Sequence, residues 1–387
     1  MENFTYHNNT KIIFGKNTEL DVGKEIKKYG NKILFHYGGG SIKKSGLYDK
    51  IIQSLNKFKI EYIELGGVQP NPRLSLVREG IKICKSNWVD MILAVGGGSV
   101  IDSAKAIGFG AKTNHDIWDF FTENLTIEST IPVGVVLTIP AAGSETSTSC
   151  VITNEEGLYK RSAGSDLLRP KFAIMNPELI FTLPKYQTVC GASDMIAHVL
   201  ERYFTNTPQV DFTDELSEAT IRTIMKQTKI VLNEPNNYEA RANLMWAGII
   251  AHNGLLGTGR IEDWASHGIE HELSAIYDIA HGAGLAIIFP YWMEYVYHHD
   301  INRFARFSNK IFNVEIDLQN LTATAEAGIK WLQHFYHEIG LPTSLNDAHI
   351  DSNRLMEMAK KATLDGPLGS FVKLATEDVH NIYNLAK

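Results

Sequence analysis

Two histidines four residues apart, His267 and His271 in Trp264-Ala265-Ser266-His267-Gly268-Ile269-Glu270-His271, share one face if the segment is helical, and His281 follows beside Gly282. Upstream, Gly191-Ala192-Ser193-Asp194-Met195-Ile196-Ala197-His198 repeats the same spacing with a carboxylate and an imidazole. This pattern suits metal ligation. One carboxylate oxygen with several imidazole nitrogens fits a divalent transition ion such as Zn2+ or Fe2+, whereas Mg2+ and Ca2+ prefer oxygen and Cu+ prefers sulfur. Either pair alone also matches a polar turn of a buried helix; two pairs with a third histidine point to a site. Spacing does not choose between His267 and His271.

A second kind of chemistry lies in two glycine turns. Lys32-Ile33-Leu34-Phe35-His36-Tyr37 is an apolar run that breaks into Gly38-Gly39-Gly40-Ser41, and Met91-Ile92-Leu93-Ala94-Val95 runs into Gly96-Gly97-Gly98-Ser99. Such a turn between strand and helix lets anion oxygens approach backbone N–H groups at the positive end of the helix. One alone is often only a tight turn. Neither is the spaced dinucleotide fingerprint or a Walker loop, but two in register suggest a dinucleotide, one turn for the pyrophosphate and one for the adenosine end. No carboxylate for a ribose 2′-hydroxyl is visible at the first turn, while Gly39, Ser41, Lys43 and Lys44 supply donors and positive charge. On that basis NADP(H) is favoured over NAD(H); the plain alternative is that the lysines form a solvated face.

The elements that must position these groups follow from periodicity. Residues 2–15 alternate apolar and polar around His7-Asn8-Asn9-Thr10 and predict two short strands joined by a turn. Strands then alternate with helices through the buried run Pro132–Pro140, which implies right-handed crossovers and a parallel sheet. Residues 145–183 predict short strands around a hairpin at Asn154-Glu155-Glu156-Gly157, and from Gln187 helical periods dominate to an amphipathic helix at Thr376–Ala386. The expected organisation is an α/β domain over 1–185 and an all-α domain over 186–387.

With 387 residues, 44% hydrophobic and 21% charged, the chain has an ordinary globular mix and room for two domains. A net charge of −7 argues against a nucleic-acid partner. No apolar run is long enough to span a membrane, and no signal segment opens the chain. Cys84, Cys150 and Cys190 are odd in number and widely spaced, which predicts reduced thiols and a cytoplasmic location.

Gly96 to Asp102, the Gly191 to His198 block and the His267 to Gly282 block together resemble the iron-containing (group III) alcohol dehydrogenases, and the Tyr37-Gly38-Gly39-Gly40-Ser41 turn is similar to the butanol dehydrogenase branch. The resemblance runs from Thr10 to the region of Glu377. It implies an N-terminal dinucleotide-binding domain, a helical C-terminal domain, a metal in the cleft between them, and a homodimer. By this resemblance the ligands are Asp194, His198, His267 and His281, with His271 nearby but not ligating. The pyrophosphate falls to Gly97, Gly98, Ser99 and Asp102, and the adenosine phosphate to Gly39 and Ser41. Asn71 falls toward the adenine, and Thr138, Ser147 and Lys160 toward the nicotinamide. Thr138 ends a buried strand and Ser147 lies in a small-residue loop, which suits a hydroxyl reaching a cofactor; Lys160 rests on the resemblance alone.

The chemistry expected is hydride transfer between a nicotinamide and a small alcohol or aldehyde, with the metal as Lewis acid and His271 as proton carrier. Trp264, Trp246 and Met245 suggest an apolar substrate region in the helical lobe. The enzymatic alternative is a metal- and nicotinamide-dependent lyase of the dehydroquinate synthase type, which needs more basic residues around a polyanionic substrate. A non-catalytic NADP-binding module is disfavoured by a complete set of four ligands.

Overall fold

The computed structural model describes residues 1–123 and 125–387. Among the described residues eight strands occur: β1 (Lys11–Phe14), β2 (Lys32–Tyr37), β3 (Glu61–Leu65), β4 (Met91–Gly96), β5 (Val133–Leu137), β6 (Ser149–Asn154), β7 (Tyr159–Gly164) and β8 (Phe172–Met175). Six form one sheet in the order β1-β8-β5-β4-β2-β3, every pairing parallel. β6 and β7 form an antiparallel hairpin around the predicted turn.

The sheet is parallel because helices return the chain to the same edge after each strand, and both faces are therefore buried. On β2 and β4 alternate residues feed two separate apolar clusters. Leu34, Ile92 and Ala94 enter one; Ile33, Phe35, Met91, Leu93 and Val95 enter the other. This is why these runs are continuously apolar rather than alternating.

The chain forms two compact units that do not follow a single cut in sequence. One contains residues 7–183 and 234–253, the other residues 1–6, 184–233 and 254–387. The helix Tyr238–His252 thus packs with the sheet unit, where Met245 and Ile249 join the cluster containing Leu34 and Ile92. A linear division at 185 puts residues 1–6 and 234–253 with the other unit.

The helical unit is built from Lys185–Tyr203, Asp211–Asn233, Ala265–Tyr277, His281–Val296, Ile301–Phe312, Leu321–Glu338, Leu355–Ala362 and Thr376–Leu385. Phe204 stacks on Phe304 at 4.4 Å between ring centres, with Trp292 and Phe371 edge-on or tilted around it. Among the described residues no helix is long and apolar enough to cross a membrane.

One expected element is absent. Residues 2–6 form no strand: Met1 and Glu2 instead donate backbone hydrogen bonds to the carbonyls of Pro208 and Gly259. Asn8 then diverts the chain. Its Oδ1 accepts from Thr10 N, and its Nδ2 donates to the carbonyls of Thr146 and Asn253, a local side-chain turn that competes with a ladder.

Candidate metal centre and nucleotide turns

The helix Lys185–Tyr203 carries Asp194 and His198 one turn apart, with His198 Nδ1 3.2 Å from Asp194 Oδ1. Glu201, three residues further on, is completely buried and faces the start of a second helix, Ala265–Tyr277. That helix opens on Trp264 in the left-handed region, φ 68°, and its first amides lack intrahelical partners. Glu201 supplies them. It accepts from Trp264 N at 2.7 Å, His267 N at 2.9 Å and His267 Nδ1 at 2.7 Å. Burial pushes the Glu201 carboxyl upward, and the backbone amides of His267 and Trp264 pull it back toward the anion.

His281 begins the next helix, His281–Val296. Its Nδ1 hydrogen-bonds Glu270 Oε2, and its Nε2 lies 3.9 Å from Asp194 Oδ1. Glu270 is completely buried and also accepts from Ser274 Oγ.

Asp194, His267 and His281 each offer a ligand atom within 4.8 Å of the others. The His198 ring lies 4.7 Å from that of His267. The four expected ligands are therefore gathered in one unit. One carboxylate with three imidazoles, two of them already engaged through Nδ1, fits a divalent transition ion bound through Nε2. His271 stands beside this set, its ring 5.6 Å from His281 and 6.5 Å from His267. A second grouping, Glu270, His271 and His281, shares the same spacing. Within it, His281 Nδ1 and Glu270 Oε2 are already hydrogen-bonded to each other.

Trp264 flanks the cluster, its ring 5.1 Å from His267 and 5.8 Å from His198. Trp246 and Met245 belong to the sheet unit. Both sit on the helix that packs in the sheet unit, Met245 in its core and Trp246 edge-on to Phe14, so the apolar region expected in the helical lobe retains only Trp264.

In the sheet unit, Gly97 and Gly98 follow β4 into the helix Gly98–Gly110. A Cβ on Gly97 would lie 2.8 Å from Ile139 Cβ, and one on Gly98 2.9 Å from Ala142 Cβ, so this turn admits only glycine. Around Gly39 and Gly40 a Cβ would meet nothing within 4 Å; that turn is open. Ser99 lies in the first turn of the helix after Gly97, and Ser41 begins the short helix Ser41–Lys44. Thr138 follows β5 and donates its N–H to Gly96 O at 3.0 Å. Asn71 is buried in the left-handed region, φ 55°. Lys160 is buried on β7 opposite Thr153.

Asp102 accepts hydrogen bonds from Ser144 Oγ and, at 3.0 Å, from Val151 N, so both its oxygens face the loop and hairpin after β5. Lys105, completely buried one turn later, completes this brace. Its Nζ donates to Ser144 Oγ, Ser147 O and Ser149 O at 3.0, 3.1 and 2.8 Å, and lies 3.2 Å from Ser147 Oγ. Burial lowers its pKa to about 8, against the pull of Asp102. Ser147 is thus held by Lys105, which the sequence reading passed over. A lysine within Ser103-Ala104-Lys105-Ala106-Ile107 was the available signal.

The first turn also holds a carboxylate that linear reading does not reveal. β3 pairs with β2 so that Glu64 lies opposite Phe35, and the Glu64 side chain returns toward the turn. It accepts from Tyr37 Oη at 2.7 Å and Tyr48 Oη at 2.6 Å and lies 3.8 Å from Lys43 Nζ. The premise for favouring NADP(H) therefore fails: Lys43 is partnered by an anion.

Two family models cover the chain, iron-containing alcohol dehydrogenase over residues 9–177 and the C-terminal part of the Fe-containing alcohol dehydrogenase family over 188–386. The chain is 44% identical to a probable NADH-dependent butanol dehydrogenase 1 of Bacillus subtilis, over 99% of both chains. It is 33% identical to the NADPH-dependent aldehyde reductase YqhD of Escherichia coli, over 100% of both. A crystal structure described as NADH-dependent butanol dehydrogenase A from Thermotoga maritima superposes with a TM-score of 0.96 at 46% identity, covering 100% of this chain and 99% of that one. With its parallel sheet, its helical unit and two family models that together span residues 9–177 and 188–386, the chain belongs to the iron-containing alcohol dehydrogenase family and is an oxidoreductase.

Proposed function

We propose that the protein is a metal-dependent alcohol dehydrogenase and aldehyde reductase that passes hydride between a nicotinamide dinucleotide and short-chain substrates of the butanol and butanal kind. The observation that carries this reading is the gathering of Asp194, His198, His267 and His281 beside the Trp264 ring. The butanol dehydrogenase names of the relatives support the substrate class. A divalent ion, Fe2+ or Zn2+, held there supplies Lewis acidity toward a carbonyl or alcohol oxygen. Gly97, Gly98 and Ser99 would hold the pyrophosphate, with Asp102 bracing the loop beside them. Gly39 and Ser41 would take the adenosine end, Asn71 the adenine, and Thr138, Ser147 and Lys160 the nicotinamide half. The working species is taken to be a homodimer, as the resemblance implies, and cytoplasmic, as the odd number and wide spacing of the three cysteines imply. The lyase alternative has no counterpart among the relatives named above, which are dehydrogenases and reductases.

For the cofactor's 2′ position we infer use of both NADH and NADPH, because Lys43 and Glu64 form a near-neutral pair at the first turn. The pair is open to solvent and screened by it, so each partner shifts the preference only modestly, by about fivefold. Metal-loaded protein should oxidise NADH and NADPH with butanal, and chelator-treated protein neither. Lys43→Ala should move the ratio of kcat/KM values toward NADH and Glu64→Gln toward NADPH. Turnover that survives chelation would sink the metal reading; an unmoved ratio in both variants would sink the cofactor reading.

His271 carries the proton in this proposal. It adjoins the proposed ligand set, and an imidazole passes between its charged and neutral forms near neutral pH, so it can give or take a proton. His271→Ala should lower kcat about a hundredfold and remove one limb of the pH profile while metal content stays at the parent level. Full turnover with an unchanged profile would remove His271 from that role.

A further inference from the structure

Two of the clustered imidazoles are gripped from behind by buried carboxylates outside the ligand set. Glu201 takes His267 Nδ1 at 2.7 Å, and Glu270 takes His281 Nδ1; both carboxylates are completely buried. These contacts are built into the packing. Glu201 is also fixed by the amides of Trp264 and His267, and Glu270 by Ser274 Oγ. Glu270 fits only because residue 284 is glycine: a Cβ there would lie 2.5 Å from Glu270 Oε1.

We propose that Glu201 and Glu270 are positioning residues for the metal, each holding its imidazole with the proton on Nδ1 so that Nε2 is presented to the ion. The inference rests on the reading that Asp194, His198, His267 and His281 hold a divalent cation. An imidazole ring has two nitrogens, and whichever one donates a hydrogen bond leaves the other as the ligand. The grip on Nδ1 therefore decides which nitrogen is offered before any ion arrives. His281 shows the result, with Nε2 turned toward Asp194 Oδ1 at 3.9 Å. A carboxylate behind the ring also makes Nε2 a stronger donor, because its negative charge stabilises a ring that has given up electron density.

The two carboxylates differ in what else they do. Glu201 caps the helix Ala265–Tyr277, so its loss unsettles backbone as well as ring. Glu270 reaches from the middle of that helix to the first residue of the next, and is the cleaner probe. Gln at 270 keeps the shape and an oxygen acceptor for His281 Nδ1 but removes the charge; Ala removes both.

The test is a titration of metal-stripped full-length protein with Zn2+ against a chromophoric chelator, and with Co2+ followed by visible absorption. Affinity for Zn2+ should fall about tenfold in Glu270→Gln and about a hundredfold in Glu270→Ala, with Glu201→Gln also weakened. The Co2+ bands should shift in Glu270→Gln even where its urea midpoint matches the parent, a change that a purely structural role would not produce. Parent-like affinity and parent-like Co2+ spectra in both Glu270 variants would overturn this proposal alone. A parent protein that takes up neither ion would overturn it together with the proposed function.

Discussion

Asp194→Ala protein should emerge from purification without stoichiometric metal and reduce butanal about a thousandfold more slowly than the parent, a loss equivalent to about 4 kcal/mol of transition-state stabilisation. Asp194 is the one carboxylate among the four expected ligands, and it lies at the meeting point of the others. His198 Nδ1 is 3.2 Å and His281 Nε2 3.9 Å from the same oxygen, Oδ1. Removing it deletes both a ligand atom and the charge that offsets half of a divalent ion. Asp194→Asn separates the two effects, since it keeps an oxygen in place without the charge and should retain metal more weakly than the parent. Metal analysis and single-turnover kinetics on the same samples decide the matter. An Ala variant that keeps one metal per chain would remove Asp194 from the centre.

The second large effect comes from a residue with no side chain. Gly282, next to His281, is where the helix His281–Val296 meets the backbone of Lys185–Tyr203. A Cβ at 282 would overlap the carbonyl oxygen of Cys190 and lie 2.6 Å from its carbonyl carbon. Backbone atoms inside a helix cannot yield as a flexible side chain can, so the helices must separate. Gly282→Ala should cost about 3 kcal/mol in a urea unfolding experiment. It should also weaken metal binding, because Cys190 lies one turn before Asp194, and His281 moves with residue 282. A variant as stable and as metal-replete as the parent would show that the close approach does not matter.

The sequence made some of this visible and hid the rest for physical reasons. β4 and its glycine turn were legible because a central parallel strand is buried on both faces and must be apolar throughout. The pairs Asp194/His198 and His267/His271 were legible because helical spacing places residues four apart on one face. Which imidazole stands outside the ligand set was not, since His267 and His271 have identical spacing; the resemblance supplied that distinction. Glu201 and Glu270 were missed because their partners come from other helices, and local periodicity says nothing about a carboxylate reaching across. Glu64 was missed for a related reason: it is adjacent to Lys43 only because β3 pairs with β2. The short strand expected near residue 4 failed because alternation alone does not supply a neighbouring strand.

The helix Tyr238–His252 has a consequence for how the chain is made. Its Met245 and Ile249 pack into the same cluster as Ile92, Ala94 and Val135, although the last strand of the sheet ends at Met175. A ribosome therefore delivers the whole sheet, and all of the helical unit's first two long helices, before it delivers the segment that completes this apolar cluster. The helices Leu74–Asn87 and Gly98–Gly110 already cover most of that face of the sheet, but the part that Met245 and Ile249 fill stays open until then, which makes the interval a natural point for chaperone capture and for aggregation if synthesis stalls. The closing contact is long-range in sequence, and contacts of that kind form slowly.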